Sequence, residues 1–511
     1  MKINQLKGGV MLSYIQMALR LVIGIVYTPI MLRLLGQSEY GIYQLSVSTI
    51  AYLDLFGFGL SSTFIRFSLR YKAKNDKEGE EKLNGLFLKM FSIIAVFSAA
   101  AGFVIIRYTP VIYASLTAPE LQKLKTLLVI TVFNAIVMIL TNIFSYIIRI
   151  NEKFFVLNLL SLLTTLLNPF LALPLLLLGY KSEALVAITL FFTVMHALFT
   201  VYYCFKVLRV KFNFKSVGKG TLKEILIFSS FIFLGEIVDL INSYTDKTLL
   251  GMFSGTSVIA VYSVGTMFKS FFISFSVAIS SVFVPRVNKM AALEVPDEEI
   301  TGLFIKVGRI QYIVLMMALS GFIVFGRAFL GLWVGPGYSQ AYWIALICLI
   351  PFTVPLIQNL GVAVQKAKNM HKFRSVVYVF IAIGNVLLSI PLIKLYGGIG
   401  AVTATAIALT AGNIIAINIY YQKKVGINVC KFWLSILNLS KALLLPVLFG
   451  VFIINIVQIS GWLELALYAS VYIFLYALSM WLFGMNTFEK ELISKPVNRL
   501  MRKKHSGGGK R

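Results

Sequence analysis

Among the charged side chains inside stretches of chain that are otherwise apolar are Arg20, Asp54, Arg66, Glu236, Asp239, Asp246 and Lys269. Their spacing does not point to catalysis. The chain has no G-x-S-x-G, H-E-x-x-H, Walker loop or paired-cysteine motif, and its three histidines, His196, His371 and His505, are scattered. Cys204, Cys348 and Cys430 fall in or beside apolar runs without metal-type spacing. What such residues can do is bind and move charge. Ser229, Glu236, Asp239, Ser243 and Asp246 recur at steps of seven, three, four and three, which is one face of a helix. Tyr262, Thr266, Lys269 and Ser276 share another face, as do Ser13, Gln16, Arg20 and Tyr27, and Tyr43, Asp54 and Ser61.

A charged side chain at the centre of a bilayer costs about 2.5–3.5 kcal/mol on insertion scales, so three carboxylates on one face would cost roughly 7–10 kcal/mol against lipid. These groups should therefore face a protein interior or a watered cavity. Opposite charges are also placed to pair, Arg20 with Asp54 and Lys269 with Asp239. Arg66 at the end of its apolar run doubles as a snorkelling anchor. Asp246 and Lys247 near a helix end fit interfacial groups, and His196 fits a hydrogen-bonded core histidine.

The elements that must position them span a membrane. Of 511 residues, 59% are hydrophobic and 13% charged, with a mean hydropathy of +0.86. A soluble chain would be roughly a quarter charged. The first apolar run, from Val10, is too long for a signal-peptide core and lacks a small-residue cleavage site after it. It predicts a helix over about 10–34, a break at Leu35-Gly36-Gln37-Ser38-Glu39-Tyr40-Gly41, and a second helix over about 42–67. Twelve further spans follow at about 86–106, 125–148, 155–178, 183–205, 225–251, 257–284, 307–330, 341–363, 375–394, 398–421, 438–459 and 463–484. Gly331-Leu332-Trp333-Val334-Gly335-Pro336-Gly337 reads as an outer-face turn with an interfacial Trp.

The segments before the first span and after the even-numbered spans hold 34 Lys and Arg, against 7 after the odd-numbered ones. That asymmetry places both termini in the cytoplasm. The same loops carry the net charge of +27, which reads as a topology signal toward an anionic leaflet rather than a nucleic-acid site. Short outer loops argue against an extracytoplasmic catalytic domain. The last residues, from Arg502, read as a disordered basic tail.

The chain also repeats itself. Gly36 to Tyr43 echoes Gly255 to Tyr262, Asn151-Glu152-Lys153-Phe154 echoes Asn369 to Phe373, and Asn168, Pro174 and Gly179 recur as Asn385, Pro391 and Gly397. Every offset is 217–219 residues. Six spans separate equivalents, so the halves should cross in the same sense, as parallel lobes with a cavity between them. The expected fold is an all-α membrane protein of fourteen transmembrane helices. It comprises a six-helix lobe over 1–205, a basic linker over 206–224, a second six-helix lobe over 225–421, two C-terminal helices over 422–484 and a basic tail over 485–511.

At this level the residues resemble a family. Leu34-Leu35-Gly36-Gln37-Ser38-Glu39-Tyr40-Gly41-Ile42-Tyr43 is similar to the first-loop pattern of Wzx-type polysaccharide flippases. So are the run Asp246-Lys247-Thr248-Leu249-Leu250-Gly251 through Ala260 to Gly265 and the segment Tyr396-Gly397-Gly398-Ile399-Gly400-Ala401. The six-plus-six-plus-two plan resembles the wider multidrug/oligosaccharidyl-lipid/polysaccharide superfamily that includes MATE and MurJ. The resemblance implies a non-enzymatic transporter that flips undecaprenyl-diphosphate-linked oligosaccharide repeats by alternating access for O-antigen or capsule synthesis. It implies a bacterial cytoplasmic membrane, surrounding membrane lipids and other polysaccharide-assembly proteins as partners, and no cofactor beyond H⁺ or Na⁺ as a coupling ion. Arg20 and Lys269 are then candidates for the lipid diphosphate, with Asp54 and Arg66 in the same cavity. Glu236, Asp239 and Asp246 are candidates for ion coupling. The rivals are an ion-coupled exporter of cationic drugs, a lipid II-type flippase, a membrane glycosyltransferase or polymerase, and a non-transporting scaffold.

Overall fold

A computed structural model describes residues 5–57, 59–492 and 494, without the side chains of residues 5–7, 9, 10, 14, 54, 231, 234 and 371. Most of the expected basic tail lies outside the described residues. The described chain is helical, with no strand among the described residues. In order it forms α1 (Gln5–Leu35), α2 (Gln37–Asp54), α3 (Leu60–Ala73), α4 (Lys77–Ile112), α5 (Ala118–Ile150) and α6 (Phe154–Leu177). Then come α7 (Lys181–Tyr202), α8 (Lys219–Phe253), α9 (Thr256–Ala292), α10 (Asp297–Trp333), α11 (Ser339–Ile357) and α12 (Leu360–Ala367). The chain ends with α13 (His371–Leu409), α14 (Ile417–Tyr420), α15 (Val429–Ser440), α16 (Leu444–Ile456) and α17 (Trp462–Ser479).

Among the described residues, twelve helical stretches are long and apolar enough to cross a membrane. Two stretches differ from the fourteen expected. The stretch Lys372–Val425 is 54 residues long, far more than one crossing needs. Gly397 breaks it with φ +56, and a Cβ on Gly400 would lie 1.9 Å from the Leu392 carbonyl oxygen. Residues eight apart in a straight helix stand about 12 Å apart, so the chain doubles back here. The other is α8, which carries Glu236, Asp239, Asp246 and Lys247 and is not among the twelve. Large apolar side chains such as Phe97, Phe103, Val111, Phe170 and Leu463 are exposed on the helix surfaces, where only lipid would cover them.

The second expected helix is not continuous. After α2 the chain makes a short 3₁₀ turn, Leu55–Gly57, and restarts at Leu60. Gly59 has φ +82, and a Cβ there would come within 2.7 Å of the Ser229 carbonyl oxygen on α8. The break lets the start of α3 approach α8, where Thr63 and Ser229 share a hydrogen bond of 2.9 Å. The apolar run Leu55 to Leu60 conceals this, apart from its glycines. Trp333 is also not interfacial. It is 2% exposed and stacks on Phe329, with ring centroids 5.4 Å apart.

The chain divides into two compact units, Met1–Ser263 with Ala382–Ala404, and Val264–Ile381 with Thr405–Arg511. In the first, α1 packs on α6, α5 on α4 and α7, and α2 on α5 and α8. Phe64, Phe67, Phe87, Phe91, Ile143 and Cys204 form one fully buried core there. In the second, α10 packs against α11, α15, α16 and α17. There Arg309 is buried and binds Glu489 in a fork, Nε–Oε1 2.5 Å and Nη2–Oε2 2.9 Å, while also donating to the Gly484 carbonyl at 2.8 Å.

The backbone carries the repeat further than the side chains do. Left-handed φ values occur in pairs at Gly36 and Gly255, Asn75 and Glu294, Glu152 and Asn369, Gly179 and Gly397, and Arg209 and Gly426. Each pair is separated by 217–219 residues. Such φ values are uncommon for residues with a Cβ, so five coincidences mark the same turns made twice.

Candidate functional site

The candidate charges fall into three settings. At one end of α8, Asp246 is 7% exposed. It accepts a hydrogen bond from the Tyr262 hydroxyl at 2.5 Å and a longer one from Ser389 at 3.4 Å. Lys247 beside it donates to Gln44 Oε1 at 2.9 Å. These groups are not interfacial. They are interior hydrogen-bonding partners that hold α8 to α2, α9 and α13. Nearby, Glu120 accepts from Ser38 at 2.8 Å and also bonds Thr256, while Lys123 pairs with Glu39 and Glu183. A Cβ on Gly41 would meet the Thr256 carbonyl oxygen at 1.9 Å, so α2 and the start of α9 touch backbone to backbone.

Farther along α8 the setting changes. Glu236 is half-buried and Asp239 exposed, one turn apart on one face, and neither makes an ion pair among the described residues. Arg20 on α1 is exposed and has no ion pair among the described residues. The Asp54 side chain lies outside the described residues. Arg66 on α3 is exposed, with its guanidinium 4.2 Å from the centre of the Phe228 ring on α8. In the second unit, Lys269 is half-buried with its ammonium 4.7 Å from the centre of the Phe352 ring. Such cation–π contacts leave the cation's other donors open.

The third setting is uncharged. An open-sided cavity of about 530 Å³ lies in the first unit among α1, α5, α6 and α7. Tyr27, Thr141, Asn142, Thr165, Asn168 and His196 line it. All stand six or more residues from any helix end. His196 is therefore not the hydrogen-bonded core histidine its isolation suggests, since its ring has no hydrogen-bond partner among the described residues. Below the cavity, Gln16 on α1 donates to Ser161 at 2.5 Å and to Thr165 at 3.4 Å. Asn158 donates to Ser13 at 3.0 Å. The polar face of α1 thus docks on α6, apart from Arg20, which is exposed, and Tyr27, which faces the cavity. Sequence reasoning that searched for charge passed over this site. Its signal is a pair of polar stripes at helical spacing, Ser161, Thr165 and Asn168 on α6 and Thr189, Thr193 and His196 on α7.

No three of His, Cys, Asp and Glu come together among the described residues, so the chemistry on offer is recognition of charge and of hydroxyl groups.

A family profile described as "Polysaccharide biosynthesis protein" matches residues 6–291. A "Probable flippase AglR" of Haloferax volcanii is 22% identical over 218 residues, covering 42% of this chain and 45% of that protein, so the chain matches less than half the length of that relative. Among solved structures, a lipid II flippase MurJ in an inward closed conformation is similar with a TM-score of 0.69. It is 17% identical, and the similarity covers 92% of this chain and 97% of that one. An inward-facing multidrug resistance MATE family transporter of the MOP superfamily gives a TM-score of 0.61 at 15% identity, over 80% and 98% of the two chains. These likenesses establish the fold.

Proposed function

The chain belongs to the polysaccharide biosynthesis protein family, and from that premise we propose that it is a flippase for lipid-linked oligosaccharides. The proposed substrate is a glycan repeat on undecaprenyl diphosphate, moved from the cytoplasmic to the outer leaflet of a bacterial cytoplasmic membrane for surface polysaccharide such as O-antigen or capsule. Fourteen crossings with both termini inside complete this reading, with lobes over 1–205 and 225–421 and the helices of 422–484 appended to them.

One observation carries the proposal. Arg20 is exposed midway along an apolar helix and has no ion pair among the described residues, whereas Asp246 and Lys247 in the same unit are each held by hydrogen bonds. A cation at that depth is costly unless an anion uses it. A lipid diphosphate is such an anion, and its polyprenyl tail stays in lipid while the head crosses. Arg20 would grip its oxygens as a fork, with Lys269 as a second, compact cation and Arg66 nearer the helix end. Glu236 and Asp239 are proposed as the H⁺- or Na⁺-coupling groups, because neither is committed to an ion pair. The similarity to a protein named as a probable flippase and to the MurJ fold supports the same reading.

A second reading has its own observation. The unpaired carboxylates of α8 would equally suit an ion-coupled exporter of cationic drugs. Deleting the gene separates the two. A flippase deletion removes one surface glycan and accumulates its lipid-linked precursor inside, and an exporter deletion leaves both unchanged and sensitises cells to cationic drugs.

A further inference from the structure

The cavity among α1, α5, α6 and α7 has no role in binding a diphosphate, since no charged side chain lines it. It is nonetheless built of polar groups in the middle of apolar helices. The Tyr27 hydroxyl is buried without a hydrogen-bond partner. Asn142, Asn168 and His196 also have none among the described residues. Amides and hydroxyls left unbonded away from water are costly, so such a cluster persists where something bonds to it.

Its donors and acceptors describe that partner. The threonine hydroxyls give their hydrogens to their own helices: Thr141 to Val137 at 2.7 Å, Thr165 to Ser161 at 2.7 Å and Thr193 to Thr189 at 2.9 Å. Their oxygen lone pairs remain as acceptors. The amides of Asn142 and Asn168 offer both donors and acceptors, and His196 adds a ring nitrogen. Phe192 and the Tyr27 ring supply apolar faces. Many acceptors, several donors, two flat apolar faces and no charge suit an uncharged polyhydroxylated ring. They do not suit a metal ion, a drug cation or a phosphate.

The repeat shows that the fold does not require this opening. Tyr27, Asn142 and Asn168 correspond, at offsets of 217–219, to Asp246, Asn359 and Asn385. In the second copy each of these is engaged by protein. Asp246 bonds Tyr262, Asn359 donates to Ser280 at 3.1 Å, and Asn385 accepts from Ser389 at 3.0 Å. The first copy leaves the same positions open.

We propose that this cavity holds a sugar ring of the transported glycan while the diphosphate is gripped elsewhere. The assignment rests on the flippase reading for the identity of the glycan, and on the cavity alone for the sugar. It makes the protein sensitive to the sugar as well as to the diphosphate.

Saturation-transfer NMR on the full chain in lipid nanodiscs tests it. The probes are the oligosaccharide released by mild acid from the cells' lipid-linked glycan pool, and maltose as an unrelated free sugar. Transfer to the released oligosaccharide should be seen with the native chain and fall about tenfold in Asn168→Leu and in Asn142→Leu. Thr165→Val, which keeps the side-chain shape and removes an acceptor, should lower it less, and gel filtration checks that each variant is folded. No transfer with the native chain, or equal transfer in all the variants, overturns the proposal. Equal transfer to maltose and to the released oligosaccharide overturns the link to the transported glycan. The transport reading fails separately, if the gene deletion leaves the precursor pool unchanged. Cavity variants that bind and export like the native chain overturn the cavity alone.

Discussion

The Tyr262 hydroxyl donates to Asp246 Oδ2 at 2.5 Å, joining the start of α9 to the interior of α8 across a site that is 7% exposed at the carboxylate. The bond ties the two helices together. Tyr262→Phe removes the donor and leaves the charge, and should lower stability by about 1.5–3 kcal/mol, the usual worth of a hydrogen bond to a charged group. Thermal unfolding of the purified protein measures it. An unchanged midpoint would show that Asp246 is satisfied without Tyr262.

Arg309 and Glu489 make the other buried tie, in the second unit. Removing one partner strands a charge, so Arg309→Met or Glu489→Met alone should cost about 3–5 kcal/mol. The double change Arg309→Met with Glu489→Met should recover most of that, because no unpaired charge remains. Comparing the three unfolding midpoints gives the coupling, and additive losses would mean that the fork contributes little.

Glu236 and Asp239 make no ion pair among the described residues, and this separates them from Asp246. Glu236→Gln and Asp239→Asn should reduce glycan export while leaving the amount of protein in the membrane near normal. Full complementation of a deletion strain by both variants would remove coupling from these residues.

Much of the fold was legible in the sequence because its signals are local. Apolar length marks the spans, and turn residues such as Gly36, Gly255, Gly179 and Gly397 mark the repeat, which the left-handed φ values then carry to Arg209 and Gly426. The charges on one face of α8 were legible for the same reason. What was hidden depends on distant neighbours. The break at Gly59 exists because α8 passes within reach of it, and Leu55 to Leu60 is apolar throughout. Arg309 and Glu489 lie 180 residues apart, and nothing in either stretch names the other. The cavity stayed hidden because threonine and asparagine in an apolar helix look like packing until their partners are known to be missing.

Topology is open to a direct check. Single cysteines at positions 74, 209 and 368 should resist an impermeant thiol reagent in intact cells, and one at position 115 should react. Labelling at 368 without permeabilisation would overturn the fourteen-crossing reading.

The central claim is that Arg20 grips an anionic head group. It is tested most directly by surface-glycan export in a deletion strain carrying Arg20→Ala, Arg20→Lys, or Arg20→Ala with Asp54→Ala. Losing the contact should weaken head-group binding by about 1.5–3 kcal/mol, roughly ten- to a hundredfold. Arg20→Lys keeps the charge but loses the fork, and should fall between the native chain and Arg20→Ala. The account predicts that adding Asp54→Ala restores nothing, because the partner that matters is the substrate. Full export by Arg20→Ala, or full rescue by the double change, would contradict it.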